Sequence, residues 1–410
     1  MSRILAYTSP ARGHLFPLVP ILEELRRRGH EVAVRTLAGE VETLRQLGID
    51  SEPIAAEVET IVHSDWRART PIGATLRTVN TYLARARYDV PDAQRAIDDE
   101  RPDAVLVDIA AWGALAATEA WGGPWASFCP YPLPLPSCDA PPYGPGLRPA
   151  RGPLGHARDR LVQALFQPLD RLIRSRLNAM RRPLGLTPLD DALEMFWRPP
   201  LLLSMTSEAF DYPRSDWPGN VVLVGPCAWD PPAELPGELE RIEAPLVLVT
   251  TSSDFQNDGR LVRAALEALA GEPYHVVATL PVANARGLRL PSNATALAFA
   301  PHAPILTRSA CAIVHGGMGV TQKALGRGVP VCAVPFGRDQ FEVARRVEVA
   351  GAGTQLPAWP RWRLRPDRLR TKVREAIACR PGAERVAQGF ASLDGPKVAA
   401  DAVEQRLLRA

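Results

Sequence analysis

The chain has 410 residues, and its 48 Lys or Arg side chains nearly balance its 45 Asp or Glu side chains, which leaves a formal net charge of +3 at pH 7. This even balance excludes the dense basic surface that nucleic-acid-binding proteins use, so we expect no nucleic-acid partner. At about 100 to 200 residues per domain, the length predicts two domains, each large enough to enclose a hydrophobic core.

The cysteine pattern indicates neither a disulfide framework nor a metal site. The six cysteines are Cys129, Cys138, Cys227, Cys311, Cys332 and Cys379. They form no Cys-x-x-Cys pair and have no histidine at metal-ligand spacing, so we expect reduced thiols and a cytoplasmic protein. The N-terminal residues do not have the form of a signal peptide. The longest apolar region, 104–121, contains Asp108 and Glu119, so we expect neither a membrane span nor stable membrane association.

Short apolar runs alternate with helical periods from the N-terminus onward. In the first half of the chain, strands are predicted at 4–7, 31–36, 104–107, 125–128, 201–205 and 221–224. Helices are predicted at 16–28, 109–121 and 156–182. The segment 130–153 is crowded with proline and glycine and is predicted to be irregular. Repeated alternation of strand and helix indicates right-handed parallel units and a doubly wound sheet.

A proline-rich segment, 229–245, is interpreted as an interdomain linker, and the alternation restarts after it. Strands are predicted at 246–250, 275–279, 295–299, 311–314 and 331–334, and helices at 259–270, 320–326 and 340–349. We therefore predict two α/β domains, 1–228 and 246–385, and a C-terminal helix, 386–410, that packs back on the first domain. The site of such a protein is expected between the domains, outside the carboxyl ends of the strands.

The segment 311–328 contains the most informative turn. An apolar strand ends at Val314, and His315-Gly316-Gly317-Met318-Gly319 leads directly into a helix. Glycines let the backbone approach a ligand closely, and the free N–H groups and dipole of a helix N-terminus attract an anion. The pattern predicts a diphosphate cradle with His315 as a further donor. The alternative is a tight structural turn with a buried histidine. The segment matches neither Walker A nor G-x-G-x-x-G.

Four further motifs extend this pattern over nearly the whole chain. They are Gly13-His14-Leu15-Phe16-Pro17, Phe299-Ala300-Pro301-His302, the run GVPVCAVP at 328–335, and Asp339-Gln340. With the glycine turn, they closely resemble the donor-binding signature of the nucleotide-sugar-dependent glycosyltransferases of the GT-B fold. That family includes plant UDP-glycosyltransferases and bacterial antibiotic glycosyltransferases of the macrolide and enediyne type. The resemblance implies two doubly wound Rossmann-like domains that face each other across a cleft, and glycosyltransferase activity.

The resemblance also implies which residues bind the donor. They are Ser252, Ser253, Phe299, Ala300, His315, Gly316, Gly317, Gly319, Val320, Asp339 and Gln340. The glycine turn and the serines would contact the diphosphate, Phe299 would stack on the base, and Asp339 and Gln340 would bind sugar hydroxyls.

Each of these assignments has a structural alternative. Phe299 would equally suit a core position at a strand end, and serines after a strand are common turn formers. Asp339 with Glu342 has the spacing of a capping box for the helix that follows.

Two positions depart from the pattern of the family. Val320 stands where members often have Thr, and Lys323 stands where many, notably the plant enzymes, have a Glu that binds ribose hydroxyls. A deoxyribose donor would lose less by the second change, because it has no 2'-hydroxyl. We therefore favour a dTDP-sugar over a UDP-sugar.

His14 is the candidate general base. It follows the first predicted strand, beside Gly13, where the imidazole can point into the cleft. Inverting sugar transfer needs a base of near-neutral pKa to take the proton from an acceptor hydroxyl. Asp108 ends a strand at the same edge of the sheet, in the region where the family has the Asp of its catalytic dyad, and would orient the ring. The alternatives are a surface histidine and a helix N-cap.

We expect no metal and no cofactor, with a nucleoside-diphosphate sugar as co-substrate, because a helix N-terminus holds a diphosphate without a metal. The acceptor is expected at 66–88 and 130–153, which have the composition of irregular insertions rich in Trp, Tyr and Pro. The predicted helix 156–182 is basic and amphipathic, so contact with a membrane surface is an alternative to a solvated arginine face.

These inferences predict an inverting glycosyltransferase that moves a hexose or deoxyhexose from a nucleoside diphosphate to a small, largely apolar acceptor. Two alternatives are a sugar-nucleotide epimerase of the same fold and a non-catalytic auxiliary protein that retains the fold. The sequence is also compatible with a homodimer.

Overall fold

A computed structural model describes residues 1–281, 287–359 and 361–409 of the chain. Within this part the strands are β1 Arg3–Tyr7, β2 Glu31–Thr36, β3 Asp50–Pro53, β4 Ala104–Asp108, β5 Trp125–Cys129, β6 Leu201–Ser204, β7 Val221–Leu223, β8 Leu246–Thr250, β9 His275–Thr279, β10 Ala294–Leu297, β11 Ser309–Val314, β12 Val331–Ala333 and β13 Gly353–Gln355.

The α-helices in the same part are α1 Arg12–Arg27, α2 Val41–Gln46, α3 Ala56–Thr60, α4 Pro71–Glu100, α5 Trp112–Trp121, α6 Gly152–Arg181, α7 Glu194–Trp197, α8 Gly237–Glu240, α9 Gly259–Leu269, α10 His302–Thr307, α11 Met318–Leu325, α12 Gln340–Val349, α13 Pro366–Ile377, α14 Arg380–Ala391 and α15 Gly395–Val403. Short 3₁₀ turns lie at Ala38–Glu40, Asp65–Arg67, Arg182–Leu184 and Arg361–Arg363, and a π-helical turn spans Glu404–Leu408.

The first sheet has the strand order β3-β2-β1-β4-β5-β6-β7, and every neighbouring pair is parallel. Its central strands β4 and β5 are buried along their length, because helices cover both faces of the sheet. The chain order reverses between β1 and β4. The carboxyl ends of these two strands therefore form the topological switch point, where α/β proteins place their ligands.

The second sheet repeats this arrangement with the order β10-β9-β8-β11-β12-β13, again parallel throughout. A hydrophobic core lies on each of its faces. Its switch point lies between β8 and β11. Two Rossmann-like parallel sheets, each with its own switch point, confirm the α/β GT-B fold that the motifs predicted.

The C-terminal residues return to the first sheet. Ala399 and Val403 of α15 are fully buried in the core that covers one face of that sheet. Arg28, at the end of α1, binds Asp401 and Glu404. The predicted single helix at 386–410 was wrong in form, because the chain turns between α14 and α15.

Charged side chains of helix α12, in the second domain, bind loops of the first domain. Glu342 accepts hydrogen bonds from the backbone N–H groups of Gly144, at 2.8 Å, and Gly146, at 2.9 Å. Arg346, which is 2% exposed, donates to Glu342 and to Asp211 of the first domain. Because these charges are buried and paired, they hold the 130–151 loop, which is irregular as predicted, against α12.

Two predictions about segments near the cleft were wrong. The segment 66–88 is not an irregular insertion, because most of it belongs to the 30-residue helix α4. Helix α1 begins at Arg12 rather than at 16, so His14 lies in its first turn instead of in a loop.

Candidate active site

A large cavity of about 2220 Å³ lies at the carboxyl ends of both sheets and is lined by residues of both domains. Pockets for one small molecule usually measure about 300 to 1,000 Å³. The cavity therefore has room for two ligands side by side. The segments 66–88 and 130–153 both contribute to its wall on the side of the first sheet.

His14 and Asp108 meet at the switch point of the first sheet. His14 is in the first turn after β1, and Asp108 is the last residue of β4, which pairs with β1. His14 Nδ1 lies 2.8 Å from Oδ1 and 3.0 Å from Oδ2 of Asp108. The backbone N–H groups of Ser9 and Ala110 also donate to this carboxylate, each at 2.9 Å. Since Asp108 occupies Nδ1, Nε2 is the ring nitrogen left for a ligand in the cavity.

The environment makes His14 a stronger base than a free histidine. Burial alone would lower the pKa of His14, but the charge of Asp108 and the hydrogen bond to it outweigh burial, so the pKa is raised. Burial likewise tends to raise the pKa of Asp108, and the neighbouring His14 and the N–H donors hold it below its usual value. The N-cap alternative for Asp108 is wrong, because α5 begins only at Trp112 with Ala111 as its N-cap.

The glycine turn lies at the switch point of the second sheet. Gly316 has φ +91°, and a Cβ there would lie 3.0 Å from the backbone oxygen of Gln340, so this position requires glycine. Gly317 is the N-cap of α11, whose first N–H groups, at Gly319 and Val320, lie beside the cavity. The resulting helix N-terminus is a favourable position for an anion.

His315 is buried beside this helix N-terminus and lines the cavity. Burial is the main reason that its pKa falls to about 4, so the ring is neutral at pH 7. Among the described residues, its Nδ1 has no hydrogen-bond partner. Because this nitrogen is closed off from the cavity, the ring nitrogen available to a ligand is Nε2.

Phe299 and Ala300 follow β10, which ends two residues before Phe299. The ring of Phe299 is 50% exposed and lines the cavity, whereas Ala300 is buried. The alternative of a core aromatic at a strand end is therefore wrong for Phe299. An exposed ring at this edge is free to stack on a planar ligand.

Ser252 and Gln340 belong to one hydrogen-bonded network beneath the cavity. Gln256 donates to Ser252 Oγ at 3.0 Å, and Gln340 donates to Gln256 Oε1 at 2.6 Å. The carbonyl of Gln340 accepts from the backbone N–H groups of Phe336 and Gly337. The structure thus uses the side-chain amide of Gln340, which is 2% exposed, to hold loops together.

Asp339 and Ser253 are half-buried and line the cavity. Asp339 is the N-cap of α12 but its side chain makes no capping hydrogen bond, and Glu342 binds the loop of the first domain instead. The capping-box alternative is therefore wrong. Burial raises the pKa of Asp339 above its usual value.

Comparison with known proteins identifies the family. Residues 263–405 match the family model described as Erythromycin biosynthesis protein CIII-like, C-terminal domain. The chain is 30% identical to 4'-demethylrebeccamycin synthase of Lentzea aerocolonigenes over 423 residues, which cover 98% of this chain and 99% of that protein. This chain belongs to the glycosyltransferases of antibiotic biosynthesis. It is also 24% identical to demethyllactenocin mycarosyltransferase of Streptomyces fradiae, over 98% of this chain and 86% of that protein.

Solved structures of glycosyltransferases show the same fold. The calicheamicin glycosyltransferase CalG4 superposes with a TM-score of 0.75 at 22% identity, covering 100% of this chain and 99% of CalG4. The glycosyltransferase VinC, solved in complex with dTDP, superposes with a TM-score of 0.70 at 21% identity and complete coverage of both chains. These structures show the fold alone, whereas the sequence relatives named above support an enzyme and argue against the auxiliary-protein and epimerase alternatives.

In this glycosyltransferase, Lys323 is not a free cation. Its Nζ lies 2.5 Å from Oδ1 of Asp230, and the backbone N–H of Ala303 donates to Oδ2 of the same carboxylate at 3.2 Å. Burial tends to raise the pKa of Asp230, but the charge of Lys323 outweighs it and the pKa is lowered. Asp230 lies in the segment interpreted as a linker, so its sequence position contained no signal of this contact.

Arg338, like Asp230, is a residue that the sequence did not single out. It binds Asp65 of the first domain through Nε and Nη2, at 3.3 and 3.0 Å, and Asp254 of the second domain through Nη1 at 3.3 Å. Its φ of +55° is unusual for a residue other than glycine. Trp66 packs its ring against Phe255 next to this ion pair, with centroids 5.2 Å apart. The two domains are thus joined at the edge of the cavity.

The described residues contain one group of potential metal ligands, Cys138, Asp139 and Asp216. All three are exposed and none lines the cavity. In the same described part of the glycosyltransferase, no helix combines the length and apolar character needed to cross a bilayer. Independence from metal stays a prediction.

Proposed function

We propose that this glycosyltransferase transfers a hexose or deoxyhexose, with inversion, from a nucleoside-diphosphate sugar to a small, largely apolar natural-product acceptor. The observation that carries the proposal is the position of the His14–Asp108 pair in the same cavity as the glycine-framed N-terminus of α11. A base and an anion cradle on opposite walls of one cavity are what a direct displacement at an anomeric carbon requires.

In the proposed reaction, Nε2 of His14 takes the proton of the acceptor hydroxyl as its oxygen attacks the anomeric carbon. The bond from that carbon to the diphosphate breaks on the opposite face, so the configuration inverts and the diphosphate leaves with the electron pair. Asp108 keeps the ring in the productive tautomer and stabilises the imidazolium that forms. The imidazolium then loses its proton to solvent, which regenerates the neutral base.

The departing diphosphate would be stabilised by the N–H groups at the start of α11 and by the neutral ring of His315 acting as a donor. Ser253 lies on the same wall. These donors are fixed by the fold and need no metal ion, so we propose metal-independent transfer. Phe299 would stack on the nucleobase, and the carboxylate of Asp339, which lines the cavity, would bind a sugar hydroxyl.

We further propose a dTDP-sugar as the preferred donor over a UDP-sugar. Both oxygens of Asp230 already accept hydrogen bonds, and Lys323 offers only donors. A ribose would present two hydroxyls to this corner of the cavity, whereas a deoxyribose presents one fewer. VinC, a structural neighbour, was solved with dTDP, which is consistent with this preference.

The direct test is incubation of the protein with dTDP- and UDP-sugars and a library of aglycones, followed by mass spectrometry of the products. We expect a mass increase of one sugar on at least one aglycone, and NMR should show the opposite anomeric configuration from the donor. A product with retained configuration would contradict the proposed mechanism.

A further inference from the structure

Four leucines on the outer surface of helix α6 form an exposed apolar line, which we call the leucine stripe. It consists of Leu154, Leu161, Leu165 and Leu172, which are 87%, 62%, 69% and 41% exposed. Their spacings of seven, four and seven residues keep them within about 20° of one line along a helix of 3.6 residues per turn. The leucine stripe is therefore a straight apolar edge about 27 Å long.

The other side of α6 faces the cavity. Phe166, Leu169 and Ile173 line the cavity, and Ile173 also packs against the hydrophobic core of the first domain. In the part of the chain that the structure describes, the leucine stripe belongs neither to the cavity wall nor to a hydrophobic core. Single exposed leucines are common on protein surfaces, whereas a contiguous apolar patch with a polar border is typical of an interaction site.

Positive charges border the leucine stripe on both sides. Arg158 and Arg176 lie about 40° from it on one side, and Arg160 and Arg171 lie about 100° to 120° from it on the other. Apart from Arg181, which is buried and paired with Glu119, helix α6 contains five arginines and two aspartates. Five minus two leaves a surplus of three positive charges on this helix, as large as the net charge of +3 of the whole chain. The partner that this surface fits is therefore apolar and negatively charged.

The same features disfavour a second copy of the chain as the partner. Two α6 helices packed stripe to stripe would bring two positively charged surfaces together, which is unfavourable. The leucines of both copies would remove roughly 900 Å² from water, less than the about 1,200 Å² at which stable interfaces begin. An anionic lipid bilayer offers both a negative surface and an apolar interior.

We propose that the leucine stripe inserts into the surface of an anionic lipid bilayer, with α6 parallel to the membrane plane and the bordering arginines at the lipid phosphates. Four leucines do not anchor a protein permanently, so the contact is reversible and consistent with the expected lack of stable membrane association. Because the other side of α6 lines the cavity, the cavity would lie about 10 Å, one helix diameter, from the lipid. This inference goes beyond the proposed function and does not depend on it.

Sedimentation with lipid vesicles at low salt tests the proposal. The anionic vesicles are phosphatidylcholine with about 30% phosphatidylglycerol, and the neutral vesicles are phosphatidylcholine alone. Leu161→Gln combined with Leu165→Gln removes the centre of the stripe. Val62→Gln combined with Leu290→Gln is the matched control, because these side chains are 73% and 49% exposed and lie outside α6. Unfolding temperatures measured on the same preparations check that each variant is folded.

We expect wild type to bind the anionic vesicles about tenfold or more tightly than the neutral vesicles, because the arginines meet lipid phosphates. The leucine variant should lose about tenfold or more of this affinity, since two apolar side chains no longer enter the bilayer. The control should bind like wild type. Arg160→Gln combined with Arg171→Gln should weaken binding to the anionic vesicles alone. This second variant tests the charge contribution whether or not the leucine variant folds.

Two results would overturn the proposal directly. One is a wild type that does not sediment with the anionic vesicles, and the other is a folded leucine variant with unchanged vesicle affinity. Light scattering covers the competing partner, because a wild-type dimer that the leucine variant converts to a monomer would assign the stripe to a second copy. Neither donor nor acceptor enters these measurements, so their failure is distinct from a failure of the proposed function.

Discussion

Replacing Asp108 by asparagine separates the charge of the dyad carboxylate from its shape. Oδ1 accepts from His14 Nδ1 and from the N–H of Ala110, and Oδ2 accepts from the N–H of Ser9. Asparagine has one acceptor oxygen and one NH₂ group for these positions. If the NH₂ group takes the position of Oδ2, it faces the N–H of Ser9, and two donors meet. If it takes the position of Oδ1, it faces the N–H of Ala110, and His14 must carry its proton on Nε2 instead of Nδ1.

Either orientation has a measurable cost. A buried donor left without a partner destabilises the fold by about 1 to 3 kcal/mol. The tautomer with the proton on Nε2 is not a base toward the cavity, and positioned proton transfer contributes about 10²- to 10⁴-fold to rate. We therefore expect Asp108→Asn to fold, with lower stability, and to lose about 10²-fold or more in kcat.

The pH profile gives a second readout. The pKa of His14 is raised because Asp108 outweighs burial, so removing the charge leaves burial dominant and lowers that pKa. The base must be unprotonated, so activity is lost as pH falls through the pKa of His14. The acid limb of kcat/KM should therefore move to lower pH in Asp108→Asn. Asp98→Asn, on the exposed face of α4, is the matched control and should change neither quantity.

Steady-state kinetics over a range of pH values, with calorimetry of dTDP binding, makes the measurement. Nucleotide affinity should be unchanged, because Asp108 lies outside the anion cradle. A variant with wild-type kcat and an unmoved acid limb would refute the role assigned to this carboxylate.

Three further predictions concern the donor side of the cavity. His315→Ala should weaken dTDP binding by about 1.5 to 3 kcal/mol, the scale of hydrogen bonds to charged groups, and unchanged affinity in calorimetry would contradict the cradle. Wild type should bind dTDP at least as tightly as UDP, and Lys323→Glu combined with Asp230→Asn should shift the ratio toward UDP. A wild-type preference for UDP by about tenfold, or roughly 1.4 kcal/mol, would show that the donor inference is wrong. Addition of EDTA should leave turnover unchanged, whereas strict dependence on added Mg²⁺ would contradict binding by the helix N-terminus alone.

The buried strands could be predicted from local sequence patterns. The aliphatic runs that became β1, β4, β8 and β11 stand out because strands buried on both faces are apolar along their length. The position of a motif after such a strand then places it at the switch-point edge. This is why sequence alone predicted that His14 and Asp108 would approach each other.

Helix α4 escaped prediction because its buried face is not a clear apolar stripe. The residues that it buries include Thr81, Arg85 and Asp89, with several alanines. A helical period cannot be recognised when polar residues occupy its inner positions. Its N-terminus does contain a local signal, since Thr70 caps the helix through Gly73 N–H and Pro71 occupies the first turn.

Contacts between segments that are far apart in the sequence could not be predicted from it. Asp230 meets Lys323, and Arg338 meets Asp65, only after two domains have folded and packed. Gln340 matched a family motif by position, yet its amide is used within the protein. A motif identifies a residue type at a site, whereas its hydrogen-bond partners depend on tertiary packing.

The central claim is that His14 removes the proton of the acceptor hydroxyl. The most direct measurement is the rate of sugar transfer by His14→Ala, with dTDP affinity measured on the same preparation. The account predicts wild-type nucleotide binding and a fall in kcat of about 10²-fold or more, since the positioned base is gone and the cradle is intact. Wild-type turnover by His14→Ala would contradict it.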